Sequence, residues 1–283
     1  MPFKKLLVAL DGSEYSQIAA NYAFWLANRL NASIDAQHVV DPRLADFFIA
    51  PEFAQELGLA ASIETSDKVI SGLRRVGELI LELFSREAAD RKLQFKTFLD
   101  EGYITQELLK RSANADLVIM GHRGKGHRKI PSDLLIGAVA ERIAVSSKVP
   151  VLIAVQPIEM IGQALVAYDG SEPSRGALFM AENLAKNAGL RLRAMIVVPS
   201  AEHRAEAELL IEQAKSYLRE EWPEEVFMVA EGPPAPTLME YAASSNSLLV
   251  LGAYGFRTPE GNVIGSTTTH VVRMTQSSIL IYR

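Results

Sequence analysis

Short apolar runs alternate along the chain with longer stretches in which apolar residues recur every three or four positions. The short runs are rich in Val, Ile and Leu and are typical of strands, whereas the wider spacing is typical of helices. In the first half, strands are predicted at Lys5–Leu10, Ser33–Val40, Leu93–Leu99, Asp116–Met120 and Val149–Val155. Helices are predicted between them, at Tyr15–Leu30, Val69–Arg91, Thr105–Ala113 and Asp133–Ser147.

The second half repeats this order and part of the sequence. Leu7-Val-Ala-Leu-Asp-Gly-Ser-Glu14 returns as Leu165-Val-Ala-Tyr-Asp-Gly-Ser-Glu172, identical at seven of eight positions. Such self-similarity indicates two copies of one structural unit. The second set of strands is predicted at Ala164–Tyr168, Arg191–Val198, Val226–Ala230, Leu248–Leu251 and Ser278–Tyr282.

Alternating strands and helices imply a mainly parallel sheet with helices on both faces, because each crossover helix packs back onto the sheet with right-handed connectivity. We therefore expect an α/β protein of two tandem, doubly wound, Rossmann-like domains, each with a five-stranded, mainly parallel sheet. Residues 1–157 form the first domain, with an insertion after the second strand within Asp41–Ser71, and residues 162–283 form a shorter second domain. The linker is predicted at Pro157–Gly162.

Composition narrows the class of protein. With 48% hydrophobic and 22% charged residues the chain is typical of a soluble globular protein, and a net charge of −5 argues against a general nucleic-acid binder. The absence of cysteine excludes disulfides, thiolate metal sites and a catalytic thiol. Only five apolar residues, Leu6–Leu10, precede Asp11, too few for a signal peptide, and no apolar run is long enough to span a bilayer. We expect a cytoplasmic protein without membrane or nucleic-acid partners.

Candidate chemistry lies where strands end, because ligands of open parallel sheets bind beyond the carboxyl ends of strands, where the winding reverses. In the second half, the fourth strand leads into Gly252-Ala-Tyr-Gly255, then nine residues, then Gly265-Ser266 at the start of the last helix. Glycines allow a backbone to approach phosphates, and a helix N-terminus offers unpaired N–H groups. The Ser and Thr hydroxyls after Gly265 add hydrogen-bond donors.

This Gly-x2-Gly-x9-Gly-Ser pattern resembles the ATP-binding signature of the universal stress protein family, and the repeat makes the resemblance one to its tandem, two-domain type. The resemblance implies ATP, with Mg²⁺, as the ligand: adenine beside the first and second strands and triphosphate on the glycine loop. Asp169 and Val197 would then contact the nucleoside, while the glycines and Ser266 would hold phosphates. The second-half residues implied at the cofactor are Ala167, Asp169, Val197, Gly252, Gly255, Gly265, Ser266 and Thr267.

The first half departs from the signature. Twelve residues instead of nine separate Gly124 from Gly137, and Ala138 replaces the serine. The longer loop includes the strongly basic segment His122–Lys129, which is either an anion attractor or a solvated turn. The sequence leaves open whether this half binds nucleotide. Its possible contacts are Asp11, Val39, Gly121, Gly124 and Gly137.

Other interpretations of the same residues remain open. Asp11 and Asp169 also suit the caps of the helices that follow them, the glycines suit tight turns, and Ser266 suits an ordinary cap. A P-loop is excluded because the glycine loop continues with His127 instead of the Gly-Lys-Ser/Thr that a P-loop requires. His122 and His127 do not make a metal site, because no third ligand accompanies them. No metal site and no catalytic residue are therefore predicted.

The leading hypothesis is an ATP-binding stress-response or regulatory protein that holds the nucleotide on the Gly-x2-Gly-x9-Gly-Ser loop of its second domain. Hydrolysis is expected to be slow at most, since no base-and-metal set accompanies the glycine loops. The alternative is a nucleotide-free interaction or scaffold module of the same fold. The apolar strands Val149–Val155 and Ser278–Tyr282 are liable to pair as exposed edges. We expect the two domains to associate through them as an intrachain pseudo-dimer, and two chains to form a homodimer.

Overall fold

The computed structural model describes residues 3–44, 63–123, 137–253 and 265–283. Strands and helices alternate throughout these ranges. The strands are β1 Lys5–Ala9, β2 Ser33–Val40, β3 Phe95–Glu101, β4 Leu117–Gly121, β5 Val151–Ala154, β6 Gln163–Ala167, β7 Arg191–Val198, β8 Phe227–Glu231, β9 Ser247–Gly252 and β10 Ile279–Tyr282. The helices are α1 Glu14–Leu30, α2 Ile63–Asp90, α3 Ile104–Ser112, α4 Ala138–Ser146, α5 Glu172–Ala188, α6 Arg204–Tyr217, α7 Pro234–Ser244 and α8 Ser266–Met274.

All the described strands belong to one sheet of ten, in the order β3-β2-β1-β4-β5-β10-β9-β6-β7-β8. Neighbours within each half are parallel, and the order reverses beside β1 in the first half and beside β6 in the second. Each half therefore contributes five strands with the doubly wound arrangement. The predicted fold class is confirmed.

The two halves join where β5 pairs with β10, the antiparallel pair in this sheet. Leu280 lies opposite Leu152, and both side chains are fully buried. The hydroxyl of Ser278 accepts hydrogen bonds from the backbone N–H groups of Val155 (2.9 Å) and Gln156 (3.1 Å). The predicted pairing of the last strands is confirmed within the chain, whereas the homodimer and the domain limits 1–157 and 162–283 stay predictions.

The helix before β3 is longer than its pattern predicted. It begins at Ile63 rather than Val69 and has 28 residues, against 14 for its second-half counterpart α6. The helix ends at Asp90. Lys92 then adopts a left-handed φ of 57°, and the N–H of Leu93 donates to the Ala88 carbonyl at 3.0 Å. Leu93 therefore belongs to the turn after the helix and not to a strand. In the described residues, α2 included, no helix is long and apolar enough to cross a membrane.

The core consists of two apolar layers, one on each face of the sheet. Leu6 and Val8 of β1 belong to the layer beneath α1 and α5, whereas Leu7 belongs to the layer beneath α3 and α4. This alternation follows from the two-residue period of a strand. Helices therefore cover both faces of the sheet.

Candidate functional site

The Asp-Gly-Ser turn after β1 is built by its own side chains. One carboxylate oxygen of Asp11 accepts a hydrogen bond from the Ser13 N–H at 2.9 Å. The Ser13 hydroxyl accepts from the Ser16 N–H at 3.1 Å and so caps α1. Gly12 has a φ of 72°, a conformation that glycine adopts without the strain of a Cβ atom. The serine is thus the helix cap, and Asp11 supports the turn before it.

The second half repeats this turn almost atom for atom. Asp169 accepts from the Ser171 N–H at 3.0 Å, the Ser171 hydroxyl accepts from the Ser174 N–H at 3.3 Å, and Gly170 has a φ of 80°. The interpretation of Asp11 and Asp169 as helix caps is therefore wrong: Ser13 and Ser171 are the caps, and the aspartates support the turn before each helix. That role is compatible with ligand contact, because a carboxylate has several acceptor positions.

The glycines that end β4 and β9 have a packing role. A Cβ atom on Gly121 would lie 2.7 Å from the carbonyl carbon of Tyr15, at the start of α1. A Cβ atom on Gly252 would lie 2.7 Å from backbone atoms of Pro173 and Ser174, at the start of α5. These positions require glycine whether or not a ligand binds.

The loops after β4 and β9 each begin and end at residues that are hydrogen-bonded to each other. The N–H of Gly137 donates to the carbonyl of His122 at 2.8 Å, and the N–H of Gly265 donates to the carbonyl of Ala253 at 2.9 Å. Each loop is therefore closed at its base by an equivalent hydrogen bond. Gly124, Gly255 and most of the basic segment lie outside the described residues, so their predicted roles are not addressed by the structure.

Two helices begin at these loop bases. Gly137 is the N-cap of α4 and Gly265 is the N-cap of α8, and neither has a side-chain capping hydrogen bond in the described structure. The first N–H groups and the helix dipole of such an end attract anions. Ser266 is exposed and Thr267 half-buried at the second helix start, while Ala138 is exposed at the first.

A cavity of about 470 Å³ opens at this edge of the first half. Four of the first-half residues predicted to contact a nucleotide line it, namely Asp11, Val39, Gly121 and Gly137. Apolar side chains form most of the remaining wall, among them Leu73 and Val76 of α2, Ile104 and Leu108 of α3, Met120 of β4 and Val139 of α4.

Charged groups stand at one side of the cavity. Asp41 lines it and is paired with Arg43, whose Nε lies 2.8 Å from a carboxylate oxygen. This hydrogen bond lowers the pKa of Asp41 below its ordinary value, against the opposing effect of burial. Arg123 also lines the cavity, and its carbonyl accepts from the Ser13 hydroxyl at 3.3 Å. The turn after β1 is thereby tied to the loop after β4.

The second-half candidates lie at the equivalent edge in a more open setting. Ala167 ends β6, Val197 lies near the end of β7, and Gly252 ends β9. Asp169 is exposed, whereas Asp11 is only partly so. The second half also has the shorter helix α6 in place of α2, whose Leu73 and Val76 form part of the first-half cavity wall.

Sequence reasoning missed several residues of the first-half cavity. Leu73 and Val76 lie in the helix that it predicted, but nothing in their spacing indicated which face would meet a ligand. Gln37 was also missed, although a polar residue at an inward position of a buried strand was a usable signal. The described residues contain no group of three or more His, Asp or Glu side chains that would suit a metal ion.

Comparison with known proteins gives one consistent result. The family model described as the universal stress protein family matches residues 2–155 and 160–283. A universal stress protein from Synechocystis sp. is 25% identical over 295 residues, covering 99% of this chain and 100% of the relative. One from Methanocaldococcus jannaschii is 31% identical over 159 residues, covering 55% of this chain and 84% of the relative.

Solved structures agree on the fold. The crystal structure of a universal stress protein from Archaeoglobus fulgidus aligns with a TM-score of 0.72 at 20% identity, covering 99% of this chain and 98% of its own. The alignment therefore extends over both halves and the junction between them.

Proposed function

Because the chain belongs to the universal stress protein family, as a tandem of two family domains, we propose that it is an ATP-binding regulatory protein. One observation carries the proposal. The first-half residues that the family resemblance implies at a nucleotide, Asp11, Val39, Gly121 and Gly137, line a single cavity. Its volume of about 470 Å³ lies in the range of small-molecule sites.

The lining of the cavity offers two kinds of chemistry. The apolar side chains of α2 and α3 suit the faces of a nucleobase, which needs little more than van der Waals contact there. The uncapped start of α4 at Gly137 suits the phosphates, with Mg²⁺ bound to them. The nucleoside would thus lie near Val39 and the phosphates near Gly137.

A second site is proposed on the Gly-x2-Gly-x9-Gly-Ser loop of the second half. It would use Asp169 and Val197 for the nucleoside and Gly252, Gly255, Gly265 and Ser266 for phosphates, with Ala167 and Thr267 close by. The equivalent loop base and uncapped helix start support it. We assign no catalytic residue in either half and expect hydrolysis to be slow at most.

The test is a calorimetric titration of the full chain with ATP and Mg²⁺, comparing the wild type with two site variants and a control variant. Gly137→Val is expected to remove binding to the first half, and Gly265→Val with Ser266→Ala binding to the second. Both glycines have φ near −60°, which valine also adopts, and thermal unfolding without nucleotide checks that each variant folds. Phosphate release measured on the same samples reports hydrolysis.

Gly162→Val is the matched control, because that glycine lies between the halves, where an added Cβ atom meets only the end of Arg191 at 3.8 Å. It should bind as the wild type does. Absence of both heat and thermal stabilisation with wild-type protein would overturn the proposal and favour the nucleotide-free interaction module. Binding lost in only one of the two site variants would assign the nucleotide to that half alone.

A further inference from the structure

Three exposed apolar side chains form a row on the outer face of α2. Val76, Leu79 and Leu83 are 45%, 43% and 61% exposed. Their spacing of three and then four residues places them on one side of the helix. Phe84 and Ala88, which pack in the core, lie on the other side. Apolar side chains that adjoin one another at the surface, unlike isolated ones, mark an interaction site.

The spacing of this row is that of a seam between two helices. Gly72 precedes Val76 by four residues, so the row has the alternation of four and three residues that is typical of paired helices. Gly72 is exposed, and an added Cβ atom there would meet nothing within 4 Å. The α2 seam, defined as Gly72, Val76, Leu79 and Leu83, therefore has room for a large side chain of a partner helix beside its glycine.

The corresponding helix of the second half lacks such a seam. Leu209 of α6 is 73% exposed. Its neighbours on the same side of that helix are Ala205, Glu206 and Glu212, so no row of large apolar side chains forms. The seam is thus a feature of α2 and not of the repeated unit.

Charged side chains beside the seam select the kind of partner. Arg75 and Glu82 lie seven residues apart on one flank of the seam, and both are exposed. Each forms an ion pair within α2, Arg75 with Glu78 at 2.9 Å and Glu82 with Arg86 at 2.5 Å. Exposed pairs of this kind contribute little, so they do not prevent either side chain from meeting a partner.

An antiparallel second copy of α2 matches this flank. When Val76 packs against Leu79 of the second copy, Arg75 comes beside Glu82 of the second copy. The twofold axis of such a dimer repeats each contact, so opposite charges meet at two places. A parallel copy would instead set Glu82 beside Glu87 of the second copy, with like charges facing each other.

We propose that α2 is the homodimer interface of this protein and packs antiparallel to α2 of a second copy. The same register places Leu83 over Gly72 of the second copy, where the open surroundings accommodate it. The sheet offers no alternative at the strands first expected to join two chains, because β5 lies between β4 and β10, and β10 between β5 and β9. A single helix pair is a small interface, so we expect a dissociation constant on the order of 10–100 µM.

Sedimentation equilibrium of the full chain tests the interface, at concentrations from about 1 to about 500 µM. Val76 also lines the first-half cavity, so the measurement is made without nucleotide. Leu83→Glu should raise the dissociation constant at least about tenfold, because it buries a charge in the seam. Leu209→Glu is the matched control: it changes a similarly exposed leucine on α6 and should leave the dissociation constant unchanged.

Charge reversal tests the register. Arg75→Glu and Glu82→Arg each set like charges against each other across the twofold axis, so neither variant should dimerise alone at about 100 µM. An equimolar mixture of the two variants should form a heterodimer, because each glutamate of one chain then faces an arginine of the other. Mixing cannot restore dimers to a variant that has merely lost its fold.

Each result supports or overturns the proposal. A wild type that stays monomeric up to about 500 µM overturns it. A dimer that survives Leu83→Glu, or that both charge variants still form alone, assigns the interface to another surface and overturns it as well. If the mixture stays monomeric although both variants keep the circular dichroism of the wild type, the antiparallel register is wrong.

Discussion

Gly121 and Gly252 end equivalent strands and touch the first turns of α1 and α5. Their Cα atoms face backbone rather than flexible side chains, so a larger residue would clash with the helix unless the helix moved. The signature glycine at this position therefore serves the scaffold on which the site is built. The same sequence feature thus supports both the packing interpretation and the binding interpretation.

Gly121→Ala should lower the free energy of unfolding by about 1–3 kcal/mol, because its Cβ atom would lie 2.7 Å from the Tyr15 carbonyl carbon. Gly72→Ala is the control: it lies inside α2 with nothing within 4 Å of its Cβ position. That change should raise stability by about 0.5–1 kcal/mol, since alanine favours helix. Urea unfolding measures both, and a neutral Gly121→Ala would contradict the close approach.

Arg43→Gln should raise the pKa of Asp41 towards its ordinary value, because the hydrogen bond from Arg43 is the main cause of its lowering. A lowered carboxylate pKa stabilises the folded state above the unfolded-state pKa of about 3.9 and loses that contribution as the pH falls towards the folded-state value. The stability difference between wild type and variant should therefore shrink below about pH 4. Carboxyl NMR titration and thermal unfolding at several pH values test this, and an unchanged Asp41 titration would refute it.

At the scale of elements, the hydrophobic pattern predicted all ten described strands to within two residues at each end. The strand predicted from Leu93 begins two residues later, at Phe95, because Leu93 belongs to the turn after α2 and packs there against the core. The extra length of α2 was missed because its first turns fall in a segment punctuated by Pro51 and Gly58.

The candidate site was predictable only in part. Asp11, Val39, Gly121 and Gly137 followed from the repeat and the family resemblance, since strand ends and helix starts are fixed by topology. The hydrogen bonds of Gln37 were not predictable, because the partners of its amide nitrogen, Asp100 and the carbonyl of Glu107, lie on other elements of the fold. A sequence shows that a polar residue falls in a buried strand but not which atoms surround it.

Ser278→Ala should weaken the junction of the two halves, because the hydroxyl accepts from two backbone N–H groups of the segment that follows β5. We expect a loss of about 1–3 kcal/mol in the free energy of unfolding. Ser244→Ala, at the exposed end of α7, is the control and should change it by less than about 0.5 kcal/mol. Equal effects of the two substitutions in chemical denaturation would show that the hydrogen bonds across the junction contribute nothing.

At the scale of the whole molecule, the two proposed phosphate helices are linked across the junction. Arg273 of α8 forms an ion pair with Glu141 of α4 at 2.6 Å. Arg283 donates to the carbonyl oxygens of Ala144 and Val145, at the end of α4. The carbonyl end of a helix attracts cations, so these contacts are electrostatically favourable. The halves are therefore joined by the sheet and by charged contacts on the same face.

A continuous ten-stranded sheet predicts that the halves unfold together, because neither can expose its last strand without exposing the apolar core of the other. Trp25 in α1 and Trp222 before β8 report on different halves, so the Trp25→Phe variant reports on the second half and the Trp222→Phe variant on the first. The two variants should give coincident urea transitions.

Leu280→Asp buries a charge opposite Leu152, and the two transitions should then separate. Met274→Asp, exposed on α8, is the control that should leave them coincident. Separate transitions in the proteins that retain Leu280 would mean that the β5–β10 pair contributes too little to couple the halves, and that each half is stable through its own five strands.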